Sequence, residues 1–89
     1  MNLEEIKKEI QIIESHLTEE ELNKDLIEVQ NDELIKYLET IGAREIQYKT
    51  GNQPQFGKFT ELGGVTNLWY KDDNDIWLIK NYELKRFFK

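Results

Sequence analysis

Cysteine is missing from the 89-residue sequence, and its absence excludes a disulfide framework, a thiolate nucleophile and any Cys-ligated zinc or iron–sulfur centre. No apolar run approaches the ~18 residues that a membrane span needs, and the first residues, Met1 to Glu9, are charged almost at once. Neither a signal peptide nor a transmembrane helix is therefore expected, and the cytoplasm is the expected location. Glycine is sparse. Gly42, Gly51, Gly57, Gly63 and Gly64 form neither GxGxxG nor GxxxxGK[ST], so no nucleotide cradle is indicated. Ala43 is the only alanine, and Arg44 and Arg86 the only arginines, in a chain rich in Ile, Lys, Glu and Asn. That bias is the mark of AT-rich coding and points to a low-GC bacterium or its mobile elements.

Histidine is almost as scarce. His16 stands alone at a helix junction, with Ser15 expected to point in a different direction, so a nucleophile–base pair is not indicated and a zinc site would need carboxylates for its other ligands. The run Asp72-Asp73-Asn74-Asp75 offers hard oxygen ligands but lacks the alternating spacing, the central glycine and the distal glutamate of a calcium loop, and reads as a hairpin turn. Paired acids can do acid–base chemistry without histidine, but no feature marks a carboxyl held in an apolar pocket. The expectation is a chain that is not an enzyme, with no catalytic residue, metal or cofactor.

What is present is a folding composition: 38% apolar residues, ten aromatics and a net charge of −6, which describe one small soluble domain over residues 1–89. Leu3, Ile6, Ile10, Ile13 and Leu17 recur every three or four residues, as an amphipathic helix requires. Thr18 with Glu21 predicts a capping box that restarts the chain as a second helix with Leu22, Leu26 and Val29 on its buried stripe. Asn31 predicts a new N-cap before Leu34, Ile35, Leu38 and Ile41, and Gly42 the left-handed stop, although one kinked helix over 18–42 also fits the pattern.

After Gly42 the period changes to two. Ile46 and Tyr48 alternate in Arg44–Thr50, Gly51-Asn52-Gln53-Pro54 supplies a turn, and Phe56–Leu62 offers a second strand. Leu68–Lys71 and Ile76–Ile79 flank the acidic turn as a hairpin. A turn centred on Asp73-Asn74 places Tyr70 opposite Trp77 and Trp69 opposite Leu78. Asn81–Lys89 fits a short helix capped by Asn81, or a continued strand. The fold class is α+β: two or three N-terminal helices packed on a small C-terminal antiparallel sheet of three or four strands, with a short C-terminal helix as an option.

Charge divides the chain. Residues 1–42 set four lysines against twelve acids, a balance of −8, whereas residues 43–89 set eight bases against six acids, a balance of +2. An acidic helical half and a mildly basic, β-rich half follow. Glu19, Glu20, Glu21, Asp25, Glu28, Asp32 and Glu33 crowd one stretch in which Lys24 is the only base. That stretch reads either as a solubilising face or as a docking surface for a basic protein, including a nucleic-acid-handling protein whose phosphate sites the carboxylates imitate. Trp69 and Trp77 are the expected apolar anchors of such an interface. The expected function is a non-catalytic protein-binding module, with a small inhibitor from a mobile element as one form of it. The alternative is a nucleic-acid-binding module, in which Tyr48, Lys49, Phe56, Lys58, Phe59, Trp69, Lys71, Trp77, Lys80 and Tyr82 form a stacking platform. Direct nucleic-acid binding is disfavoured by the charge, no membrane partner is expected, and a homodimer would cover an open sheet face equally well.

Overall fold

The N-terminal stripe folds as helix α1 (Leu3–Ser15), with Ile6, Ile10 and Ile13 buried, in a computed structural model that describes residues 3–48, 54–55 and 63–89. The capping box forms as expected: the Glu21 amide donates to the Thr18 hydroxyl at 3.1 Å and the Thr18 amide to the Glu21 carboxylate at 2.9 Å. The helix it opens is only one turn long, α2 (Glu19–Leu22).

The expected continuation of that helix is overturned. Residues Leu26–Glu28 are a strand, β1, in which Ile27 is buried and Leu26 is 47% exposed. The spacing Leu22, Leu26, Val29 fits a helical stripe, but Ile27 and Val29 also alternate with a period of two, and both are buried β-branched residues suited to a pleated surface. Asn31 then caps α3 (Asp32–Ile41) by accepting from the Leu34 amide at 3.1 Å. Gly42 ends the helix at φ +78°, donating to the Leu38 carbonyl at 2.7 Å. Separate helices replace the single kinked one because β1 lies between them.

Strands β2 (Arg44–Tyr48), β3 (Pro54–Gln55), β4 (Gly64–Lys71) and β5 (Trp77–Lys80) follow, and the chain ends in α4 (Asn81–Phe88). Among the described residues the sheet is antiparallel throughout with five strands in the order β1-β5-β4-β2-β3, one edge being the unexpected β1. The segment expected as a strand from Phe56 to Leu62, and most of the Gly51–Pro54 turn, lie outside the described residues. Asn81 does not cap α4. It is buried at the β5–α4 junction, where its amide donates to the Leu22 and Lys24 carbonyls at 2.9 and 2.8 Å.

The hairpin is shifted by one residue from its expected register: Trp69 faces Ile79, Tyr70 faces Leu78 and Lys71 faces Trp77. The cause is the turn. The Asp72 carboxylate accepts from the Asn74 and Ile76 amides at 2.9 and 3.0 Å, and Asp75 adopts a left-handed φ of +67°. The loop therefore holds three residues rather than two. Because side chains alternate, the shift brings Trp69 and Trp77 onto the same face of the sheet. A break in the β2–β4 register at Arg44/Glu45 leaves Leu68 as an extra residue, so that Leu68 and Trp69 are buried consecutively. One buried cluster joins that face to α1, α3 and α4. Gly64 lies opposite Tyr48, and a Cβ there would stand 2.6 Å from the tyrosine hydroxyl oxygen.

The strand assignment of 26–28 makes a prediction that a helix would reverse. Ile27→Ala should cost about 2–5 kcal/mol and Leu26→Ala less than about 0.5 kcal/mol, as read by chemical denaturation.

Candidate functional site

The seven carboxylates expected to form a docking surface are carried by three consecutive short elements. Glu19, Glu20 and Glu21 form the first turn of α2, Asp25 precedes β1, Glu28 closes β1, and Asp32 and Glu33 open α3. Carboxylates suit both helix starts, where unpaired amides present partial positive charge. Their positions are not equivalent. Glu21 is half-buried and its carboxylate is committed to the capping box, while Glu33 Oε2 lies 3.8 Å from His16 Nε2. Glu19, Glu20, Asp25, Glu28 and Asp32 are exposed and form no ion pair among the described residues.

Several carboxylates elsewhere meet cations. Glu9 grips Arg44 in a bidentate pair, Nε to Oε1 at 3.0 Å and Nη2 to Oε2 at 2.7 Å, with both side chains largely buried. Beside it, burial first and the Glu9 charge second push the Tyr37 phenol above its ordinary value, with Arg44 pulling the other way. Glu14 meets Lys89, Glu39 and Asp75 share Lys71, and the buried Glu83 lies 3.5 Å from Arg86. Among the described residues, five exposed carboxylates without an ion pair thus fall between α2 and the start of α3, with Glu45 and Asp73 outside that stretch.

A concavity of about 520 Å³ opens there, lined in part by His16, Glu20, Glu21, Lys24, Glu28 and Asn31. Ser15 and His16 lie closer together than expected, with Ser15 Oγ 3.3 Å from His16 Nδ1. Both are bound to the same acceptor, the Ile12 carbonyl, at 2.6 and 2.9 Å. The serine proton is directed at the helix backbone, the back-bonding that hydroxyls adopt at helix ends.

Trp69 and Trp77 are a correction. They are 0% and 5% exposed, so they belong to the core and offer no anchor to a partner. Each indole N–H is satisfied internally, Trp69 by the Gly42 carbonyl at 2.8 Å and Trp77 by Glu39 Oε1 at 2.9 Å. The one-residue register shift is the physical reason. The aromatic–lysine platform loses further members: Tyr48 packs on Phe87 with ring centroids 5.2 Å apart, and Lys71 is tied to Glu39 and Asp75. Lys80 lies 5.6 Å over the Tyr70 ring, while Tyr82 is exposed. Lys49, Phe56, Lys58 and Phe59 lie outside the described residues.

Sequence reasoning missed the backbone of β1 as part of this surface. The alternation of Ile27 with Val29 was the signal, masked by the equally good helical spacing of Leu22, Leu26 and Val29. No helix among the described residues is long and apolar enough to cross a membrane. Compared with protein families, curated proteins and solved structures, the chain matches none.

The Glu39 cluster generates a pH prediction. Hydrogen bonds from Lys71 and then Trp77 hold the Glu39 carboxyl below its usual 4.5, and bonds to Glu39 and then Asp75 hold the Lys71 ammonium above its usual 10.5. The Glu39 contribution is present above the carboxylate's unfolded value and is lost as pH falls through its depressed folded value. The Lys71 contribution is present below 10.5 and is lost as pH rises through its raised folded value. Glu39→Gln keeps an acceptor for Trp77 but removes the ion pair, so thermal unfolding followed against pH should show a flatter acid limb below about 4.5 than the wild type.

Proposed function

We propose that this chain is a non-catalytic protein-binding module that docks a partner with a basic surface through Glu19, Glu20, Asp25, Glu28, Asp32 and Glu33. The observation that carries the reading is the contrast in pairing among the described residues: carboxylates packed around the core meet Arg44, Lys71, Arg86 or Lys89, while the exposed Glu19, Glu20, Asp25, Glu28 and Asp32 form no ion pair there. Exposed like charges repel one another within a Debye length, about 8 Å at physiological salt, and an apposed basic surface relieves that repulsion. Such a surface steers association and selects partners by charge more than it adds affinity. The hairpin tryptophans have no part in it. A protein that handles nucleic acid fits the partner's required chemistry, its phosphate-binding cations being covered by carboxylates.

The test is capture of partners from a low-GC bacterial lysate with the wild-type chain and with a Glu20→Lys, Asp25→Lys, Glu28→Lys variant, in nuclease-treated and untreated halves. Glu21 is left alone because it holds the capping box. The wild type should retain a basic protein that survives nuclease and is released as salt is raised. The variant should retain about tenfold less, a loss of about 1.4 kcal/mol, with a melting temperature within a few degrees of the wild type. Equal retention by the variant, or partners that vanish with nuclease, removes the acidic surface from the account.

A further inference from the structure

The acidic surface contains an open sheet edge. Among the described residues β1 ends the strand order and pairs on one side only, with β5. The Val29 amide donates to the Trp77 carbonyl at 2.9 Å. In an antiparallel ladder alternate residues face the same neighbour, so Ile27, opposite Ile79, also turns its N–H and C=O toward β5. Leu26 and Glu28 therefore turn theirs outward. Among the described residues those outward groups have no hydrogen-bond partner, and both side chains are exposed.

Such an edge is a template for another strand, and charge decides which one it accepts. A second copy of this chain would bring its own Glu20, Asp25 and Glu28 to the same edge, and repulsion between like charges within a Debye length opposes that pairing. An extended segment bearing lysine or arginine meets the opposite situation: Glu28 on the strand, Asp25 before it and Glu20 across the concavity form no ion pair among the described residues. The short length of β1 points the same way, because two outward-facing residues offer few backbone bonds and the flanking carboxylates must supply the selectivity.

We propose that β1 is a docking edge, at which an extended basic segment of the partner protein joins the sheet as a sixth strand. Its backbone bonds to Leu26 and Glu28, and its cations meet Glu20, Asp25 and Glu28. This rests on the reading of the acidic stretch as a docking surface and adds the mode of attachment.

The probe is a capped, fluorescent peptide of alternating lysine and threonine, titrated into the full chain and followed by anisotropy, with amide hydrogen exchange measured in parallel. Leu26→Pro removes one outward N–H and no charge, at a first-strand position that tolerates proline, and Leu26→Ala controls for the lost side chain. The expected result is peptide binding by the wild type and by Leu26→Ala to within about threefold, and binding by Leu26→Pro weaker by about tenfold. Exchange at the Leu26 and Glu28 amides should slow by about tenfold in wild-type chain with peptide, while the Ile27 amide, already bonded to β5, changes little. Equal binding by the proline and alanine variants, or no added protection at Leu26 and Glu28, overturns strand addition. If Glu20→Lys with Asp25→Lys still abolishes binding in that case, the docking reading stands without the strand. A wild-type chain that leaves the peptide free, or binding untouched by charge reversal, overturns both.

Discussion

Two buried indoles need two hydrogen-bond acceptors, and in this fold both acceptors come from one place, the C-terminal end of α3. Trp69 donates to the Gly42 carbonyl and Trp77 to the Glu39 carboxylate. An indole N–H left without a partner in a core costs more than a made hydrogen bond returns, so the pair fixes how α3 lies across the hairpin. Once that end of α3 is pinned, its other end is placed as well. Glu33 comes to stand beside His16, and Asn31, the cap of α3, lines the same concavity as Glu20 and Glu28.

The same placement sorts the charges. Carboxylates that fall near the sheet find cations carried by the second half of the chain: Glu9 with Arg44, Glu39 with Lys71, Glu14 with Lys89. These pairs join elements distant in sequence, and Glu9 with Arg44, bidentate and largely buried, ties α1 to β2. The mildly basic half thereby neutralises acids of the first half where they pack against it. Among the described residues, the carboxylates of the segment from α2 to the start of α3 are left without such partners. Exposed ion pairs contribute little to stability, so the pattern matters more for where the field points than for how firmly the domain holds.

The local signals in the sequence were the readable ones. Thr18 with Glu21, Asn31 and Gly42 each carry a mechanism that operates within a few residues, and each does in the structure what its chemistry dictates. The α+β class and the helical stripe of α1 follow from periodicity for the same reason. Three features were not readable, two because they depended on distant partners and one because the acidic turn admits two loop lengths. Leu26–Glu28 satisfies a helical and an extended pattern at once, and the open side of β5 decides between them. The hairpin register turned on one additional loop residue, set by the Asp72 carboxylate, and that residue reversed which face Trp77 occupies. Asn81 resembles a cap locally, but its amide is drawn instead to the carbonyls of Leu22 and Lys24. For the site, the acids were legible as a run of charge. Their separation into paired and unpaired members, and the backbone edge among them, were not.

The clamp made by Asn81 has a consequence for the order in which the molecule is built. It closes a span of 57 to 59 residues, and β5, the strand that pairs with β1, lies immediately before it. As the chain leaves a ribosome at about 5–20 residues per second, the acidic segment emerges first and waits several seconds for the strand and the asparagine that hold it. During that interval it is a charged, extended stretch without its sheet. The edge at β1 is therefore completed only after β5 and Asn81 have emerged, and contacts of such long sequence separation are those that slow the folding of a small domain.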